Sequence, residues 1–285
     1  MLKEVIKKSF NILKNNLIFI QPPLLLLLII LTAVSYSLND AKAVIPNIIL
    51  GISMILLTIA FASGWFYINK AAVLSYDENS TKEEITITSI KNFRKFFEGV
   101  GANFVNILLS SIIMVIISTL TFFAIFKVLS SSIGIPNFVY ELQKVVNTNS
   151  QQELINFLNG ISNHDKLTFF VWVLSVNIAN VILNYVWTVF NTAITFENKN
   201  VFVCLKKAII FIFKNLFQSF SIIVFTSLIY ILLNIISSLA GTSIVAFIIM
   251  ILLFITYLNY YVLLVFCFYN EKTKINCDNR TECLG

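Results

Sequence analysis

The sequence predicts an all-α integral membrane protein of six transmembrane helices, arranged as three repeats with both termini in the cytoplasm. Of its 285 residues, 58% are hydrophobic and only 12% are charged, and the mean hydropathy is +0.87. One soluble core could not bury so many apolar side chains, so the excess requires lipid. Apolar runs longer than 18 residues are typical of membrane-spanning helices, which satisfy their backbone amides internally.

Six apolar runs are long enough to cross about 30 Å of hydrocarbon. They extend over residues 17–38, 43–68, 102–126, 167–196, 216–240 and 243–269. Pro22, Pro23 and Pro46 lie near the starts of the first two runs, where proline is expected to begin or kink a helix.

Lysine and arginine are distributed unequally between the two sides that these runs define. The side with both termini carries sixteen basic residues, whereas the other carries only Lys42, Lys127, Lys144 and Lys166. Because basic residues concentrate in short cytoplasmic loops, both termini are predicted to be cytoplasmic.

The longest outer connection, residues 127–166, has a helical pattern of its own. Phe138, Leu142 and Val145 recur at helical spacing, and Ser150 with Glu153 forms a capping box ahead of a second apolar stretch. A small helical hairpin is therefore predicted in this outer loop.

A basic amphipathic helix followed by two spans occurs three times, which predicts an internal repeat within one membrane domain, 1–285. The repeats are 1–80, 81–197 with the outer loop as an insertion, and 198–271, followed by a tail at 272–285. Each amphipathic helix is expected in the cytoplasmic interface, either as a topological anchor or as a lipid sensor, with its apolar face among acyl chains. Contacts with anionic headgroups are expected from Lys7, Lys8, Lys91, Arg94, Lys95, Lys206 and Lys207.

The junction of the second and third repeats carries a family resemblance. It reads Ala193-Ile194-Thr195-Phe196-Glu197-Asn198, then Leu205-Lys206-Lys207-Ala208 and Lys214-Asn215-Leu216. This pattern resembles the repeated unit of the membrane domain of some glycerophosphodiester phosphodiesterases, and of related uncharacterised six-span prokaryotic membrane proteins. The resemblance covers most of the chain and implies the fold and a prokaryotic cytoplasmic membrane. It implies no activity, because catalysis in the phosphodiesterases belongs to a separate soluble domain.

An amide and hydroxyl stripe runs along the fourth span. Its members recur at helical spacing and are Asn177, Asn180, Asn184, Thr188, Asn191 and Thr195. An unpaired amide in hydrocarbon costs on the order of several kcal/mol, so the stripe is expected to point inward. Tyr230 and Asn234 of the fifth span offer a matching polar face. The stripe could bond across a closed helix interface or, together with Tyr230 and Asn234, line a hydrated path for a polar or amphipathic substrate.

Catalytic, metal and cofactor signals are absent or weak. No charged residue or histidine lies well inside a span, which argues against a proton relay. His164 beside Asp165 is interpreted as a solvated loop residue. Cys277 and Cys283 are interpreted as residues of an unconstrained tail, with metal binding as the weaker alternative. No disulfide is expected. The chain is not expected to be an enzyme.

The sequence therefore predicts a permease-like role in transport, export or lipid handling, without an energy source of its own. An energising or enzymatic subunit would be a separate chain. Anionic lipid headgroups, and not nucleic acid, are the expected partners of the basic residues. The alternative is a membrane scaffold that recruits other proteins through the outer loop and the tail.

Overall fold

The computed structural model describes residues 2–39, 44–135, 160–197, 200–239 and 243–278. Every regular element in these ranges is helical: α1 (Leu2–Asn15), a short 3₁₀ segment (Leu17–Ile20), α2 (Gln21–Asn39), α3 (Val44–Ser75), α4 (Lys82–Arg94), α5 (Phe96–Ser132), α6 (Asn163–Glu197), α7 (Val201–Lys214), α8 (Leu216–Leu239) and α9 (Ile244–Asp278). Six long helices, α2, α3, α5, α6, α8 and α9, are apolar enough to cross a membrane. The all-α membrane fold with six spans is therefore confirmed.

The order of elements in the described chain places a short helix before each pair of long ones. These short helices are α1, α4 and α7. The internal repeat and the orientation with cytoplasmic termini stay predictions from the sequence. The predicted outer hairpin, with Phe138, Ser150 and Glu153, lies outside the described residues.

Helix α6 begins at Asn163, four residues before the apolar run that predicted it. Its start is stabilised by a reciprocal cap, because the backbone N–H of Asp165 donates to the Ser162 hydroxyl over 3.1 Å and that hydroxyl donates to the Asp165 carboxylate over 2.8 Å. His164, expected in a loop, consequently lies in the first turn of α6, where it is exposed.

The second amphipathic helix, α4, extends over Lys82–Arg94. Helix α4 begins at a capping box, in which the backbone N–H and hydroxyl of Thr81 both donate to the Glu84 carboxylate. These bonds hold the pKa of the Glu84 carboxyl below its usual value. The helix ends at Lys95, whose ψ of 3° is not helical, and α5 starts at the next residue.

The chain forms two compact units, residues 1–112 with 185–285, and residues 113–184. In the second unit, the Trp172 indole N–H donates to the carbonyl oxygen of Gly134 over 3.0 Å, and Phe126 packs edge-on against the Trp172 ring. Gly134 has a φ of +76°, which glycine adopts without strain. This contact joins the end of α5 to the first half of α6.

The first unit is built around the second half of α9. Residues 262–269 are at most 3% exposed, so other helices surround this segment on all sides. Helices α1, α3 and α8 pack against α9. The rings of Phe196 in α6 and Phe211 in α7 contact those of Phe266 and Phe268 at 5.5 and 5.2 Å.

The three short helices use their faces differently. In α1 and α7, residues such as Ile12 and Cys204 are fully buried, so the expectation that these apolar faces lie among acyl chains needs correction. Their neighbours are α9 and, for α1, α3. Helix α4 buries Ser89 and Asn92 and leaves Ile87 60% exposed. Exposed apolar residues remain on the other two helices as well, such as Phe10 of α1 at 57% and Phe213 of α7 at 73%. The interfacial position stays a prediction for all three.

Gly64 of α3 and Gly99 of α5 allow these two helices to approach closely. A Cβ atom added to Gly99 would lie 2.2 Å from the Cβ of Tyr67 and 3.2 Å from the Cα of Gly64. Small residues at helix crossings permit tight packing in membranes, where apolar burial alone gives little driving force for association.

The substitution Gly99→Ala is expected to destabilise the protein, because the new methyl group would overlap atoms that cannot rotate away. Overpacking of this kind costs about 1–3 kcal/mol and should lower the melting temperature in detergent. Gly101→Ala is the matched control on the same helix, since a Cβ there meets nothing within 4 Å. Equal melting temperatures for the two variants would contradict the close crossing.

Candidate functional site

Polar contacts link the ends of α3, α6 and α9 within the first unit. The Lys70 ammonium donates to the carbonyl oxygen of Thr195 over 2.7 Å, which joins α3 to the last turn of α6. The Tyr269 hydroxyl donates to the Glu197 carboxylate over 2.7 Å, which joins α9 to α6. Glu197 also forms an ion pair with Lys207 of α7. Charged groups are thus paired where these helices end.

Helix α1 completes this set of contacts. Lys8 forms an ion pair with Glu271 of α9, and the Asn11 side-chain amide donates to the Tyr76 hydroxyl, just beyond α3, over 3.2 Å. The contacts therefore form a closed circuit from α3 to α6, to α9, to α1 and back to the α3 end. We call this circuit the polar ring. It fixes α1 on two sides.

The structure separates the predicted headgroup contacts into two groups. Lys8 and Lys207 are engaged with Glu271 and Glu197 in the polar ring. The others are exposed except for half-buried Lys95, and are Lys7, Lys91, Arg94, Lys95 and Lys206. Sequence spacing could not distinguish them, because both acidic partners lie on other helices, and that of Lys8 is 263 residues away.

The amide and hydroxyl stripe of α6 is exposed along its first half and buried along its second. The exposed members are Asn177, Asn180 and Asn184, and the buried ones are Thr188, Asn191 and Thr195. The Asn177 amide donates to a backbone carbonyl one turn earlier over 2.7 Å. Such bonding within the helix lowers the cost of exposing an amide to hydrocarbon, which explains why the whole stripe need not point inward.

One buried member of the stripe, Asn191, bonds across a helix interface. The Ser110 hydroxyl of α5 donates to the Asn191 side-chain oxygen over 2.7 Å. The predicted partners on α8, Tyr230 and Asn234, are exposed, and the Asn234 amide donates to the backbone of Tyr230 over 2.8 Å. The path candidates are therefore distributed between buried interfaces and exposed helix surface.

A groove of about 520 Å³ lies between α1, α8 and α9 in the first unit and is open along one side. It is lined by Ile6, Lys7, Phe10 and Leu13 of α1, Phe225, Ile229 and Leu233 of α8, and Leu253, Thr256, Tyr257 and Tyr260 of α9. This volume is in the range of small-molecule sites. None of the predicted path residues lines the groove, and Lys7 is the one predicted headgroup contact that does.

The hydroxyl groups on the groove wall are already engaged inside the protein. Thr256 donates to the carbonyl oxygen of Leu252 over 2.7 Å, and Tyr257 donates to that of Thr226 over 3.1 Å. Tyr260 is buried, with 8% of its surface exposed. The wall therefore presents mainly hydrocarbon and aromatic surface to an occupant.

Helix α1 forms one wall of the groove with the flank that carries Ile6 and Phe10. Val5 and Ile12 are buried, whereas Ile6 and Phe10 project beside them into the groove. The groove itself was missed because its walls come from the first, eighth and ninth helices, which no local spacing relates. The only signal of the groove in the sequence is that apolar residues cover an unusually wide arc of α1.

The remaining predictions concern metal binding, the cysteines and the scaffold surface. Among the described residues, no group of three His, Cys, Asp or Glu is placed to hold a metal. Cys204 and Cys267 are buried free thiols, while the side chains of Cys277 and Cys283 lie outside the described part. The scaffold surface predicted in the outer loop and tail also lies largely outside it.

Comparison with family models, curated proteins and solved structures finds no match for this chain. The resemblance to the phosphodiesterase membrane domain therefore stays a prediction from the sequence. Function has to be argued from the groove, the polar ring and the stripe themselves.

A charge exchange tests the link between α1 and α9. Lys8→Glu alone should lower the melting temperature, since two carboxylates would meet, and adding Glu271→Lys should restore it. For a partly exposed pair the interaction is about 1 kcal/mol, and it should shrink in 1 M NaCl. As the control, Lys7→Glu is combined with Glu271→Lys. The melting temperature of this double variant should stay at or below that of Glu271→Lys alone, because Lys8 and not Lys7 is paired with Glu271. A rise in the melting temperature of the control would show that the ion pair is not specific.

Proposed function

We propose that this integral membrane protein handles lipid, in a permease-like and non-enzymatic role, by holding an acyl chain in the groove between α1, α8 and α9. The observation that carries the proposal is the groove itself, with its apolar wall and open side. An acyl chain fits such a wall because it needs no hydrogen-bond partner there.

The distribution of the path candidates favours lipid handling over a polar channel. Asn191 is buried at an interface with Ser110, whereas Asn180 and Asn184 are exposed. A hydrated path would need these groups to converge on one cavity. The groove instead combines apolar side chains from three helices, which matches the tail of an amphiphile.

The polar ring supports the proposal by holding α1 in place as a groove wall. The contacts of Lys8 with Glu271 and of Asn11 with Tyr76 fix α1 against the bundle, on faces other than the one that carries Ile6 and Phe10. A site on a rigid wall binds at a lower entropic cost than one that must first be ordered. Net movement of lipid against a gradient would draw on a separate energising subunit.

Filling the groove tests this function. In phosphatidylcholine vesicles, a trace phosphatidylcholine with a photoactivatable acyl chain should label peptides of α1, α8 and α9 after irradiation. Ile229→Trp should reduce this labelling about tenfold, because displacing an indole costs a bound chain roughly 1–3 kcal/mol. Mass spectrometry of the labelled peptides gives the measurement.

Leu228→Trp is the matched control, since Leu228 is adjacent on α8, 57% exposed and outside the groove lining. It should leave the groove labelling unchanged. Equal labelling in both variants, or labelling spread evenly over all six spans, would contradict a defined acyl-chain site.

A further inference from the structure

We propose that the groove selects phospholipids with a net negative charge and that the Lys7 ammonium binds the headgroup phosphate. This inference rests on the proposed function, because it adds a headgroup preference to the acyl-chain site. It commits to a lipid of the bilayer as the occupant.

The first argument comes from the polar groups on the groove wall. The hydroxyls of Thr256 and Tyr257 donate to backbone oxygens, and Tyr260 is only 8% exposed. In the described part of the chain, Lys7 has no hydrogen-bond or ion-pair partner. An occupant therefore meets hydrocarbon along the wall and one unpaired cation, which is the complement of an anionic amphiphile.

The second argument comes from the arrangement of α1. Lys3, Lys7 and Lys14 are exposed and share one face at helical spacing, next to the flank that carries Ile6 and Phe10. A helix with this arrangement places its apolar flank among acyl chains and its lysines at the phosphate level. The groove extends that apolar flank into the protein, so the chain and the phosphate of one lipid can bind together.

The third argument concerns the remaining charges near Lys7. Lys8 is neutralised by Glu271 and points to the polar ring. Glu4 lies one turn before Lys7 and contributes one carboxylate to α1. Lys3, Lys7 and Lys14 outnumber it, so the net charge beside the groove is positive. A zwitterionic headgroup also contains a phosphate, but its ammonium group would face these same lysines and lose most of the attraction.

The test uses the full chain in phosphatidylcholine vesicles at 0.15 M salt, with a trace of either phosphatidylglycerol or phosphatidylcholine carrying the same photoactivatable acyl chain. Labelling of the groove peptides is expected to be about fivefold higher with phosphatidylglycerol. This is the factor that the attraction between one basic residue and anionic lipid provides. Lys7→Gln should abolish this preference, Lys7→Arg should retain it, and 0.5 M salt should weaken it. Lys82→Gln, which removes an exposed lysine at the start of α4 that is not a predicted headgroup contact, should leave the preference unchanged.

The outcomes separate the two proposals. Equal labelling by both probes, with Ile229→Trp still removing both signals, would overturn the headgroup selection and leave the acyl-chain site standing. Failure of both probes to label the groove would overturn both. A preference for phosphatidylglycerol that Lys82→Gln lowers as much as Lys7→Gln would also overturn the assignment, since it would report general surface charge. Lys7 is exposed, so a normal melting temperature is expected for its variants.

Discussion

The packing of other helices around the second half of α9 is the constraint on which the rest of the structure depends. Lipid tails are as apolar as leucine, so association within a membrane depends on close packing and on polar contacts. Residues 262–269 provide the packing, since they are buried on every side. Helices α1, α3 and α8 occupy their positions because each contacts α9, and the groove is lined by residues of α1, α8 and α9.

The polar ring supplies what packing alone lacks, which is a defined register. Its bonds join particular atoms, such as the Lys70 ammonium and the carbonyl oxygen of Thr195 at 2.7 Å. Two helices with an apolar interface can shift by one turn with little loss of free energy. A charged group that is moved away from its partner in a low-dielectric region is left unpaired, which costs free energy. The ring and the buried segment of α9 therefore act together, one specifying position and the other providing contact area.

The spans could be predicted from the sequence because each depends on local hydropathy. Partnerships between distant helices could not. Lys7 and Lys8 are adjacent, and the sequence pattern of α1 does not distinguish them. In the structure, Lys8 is paired with Glu271, whereas Lys7 lines the groove. The Asn stripe was predicted as one inward face, but Asn177 satisfies its amide along its own helix. The start of α6 also differs from the prediction, because the cap at Ser162 begins the helix before the apolar run starts.

The contact between α1 and α9 also has a consequence for biosynthesis. The ion pair of Lys8 with Glu271 joins residues 263 positions apart. At typical translation rates, roughly 10–50 s separate the emergence of these two groups from the ribosome. During that interval α1 has no α9 to cover its apolar face, and the nascent chain must keep this helix at the membrane surface. Until α9 is made, the exposed lysines of α1 are available to attract this helix to anionic lipid headgroups.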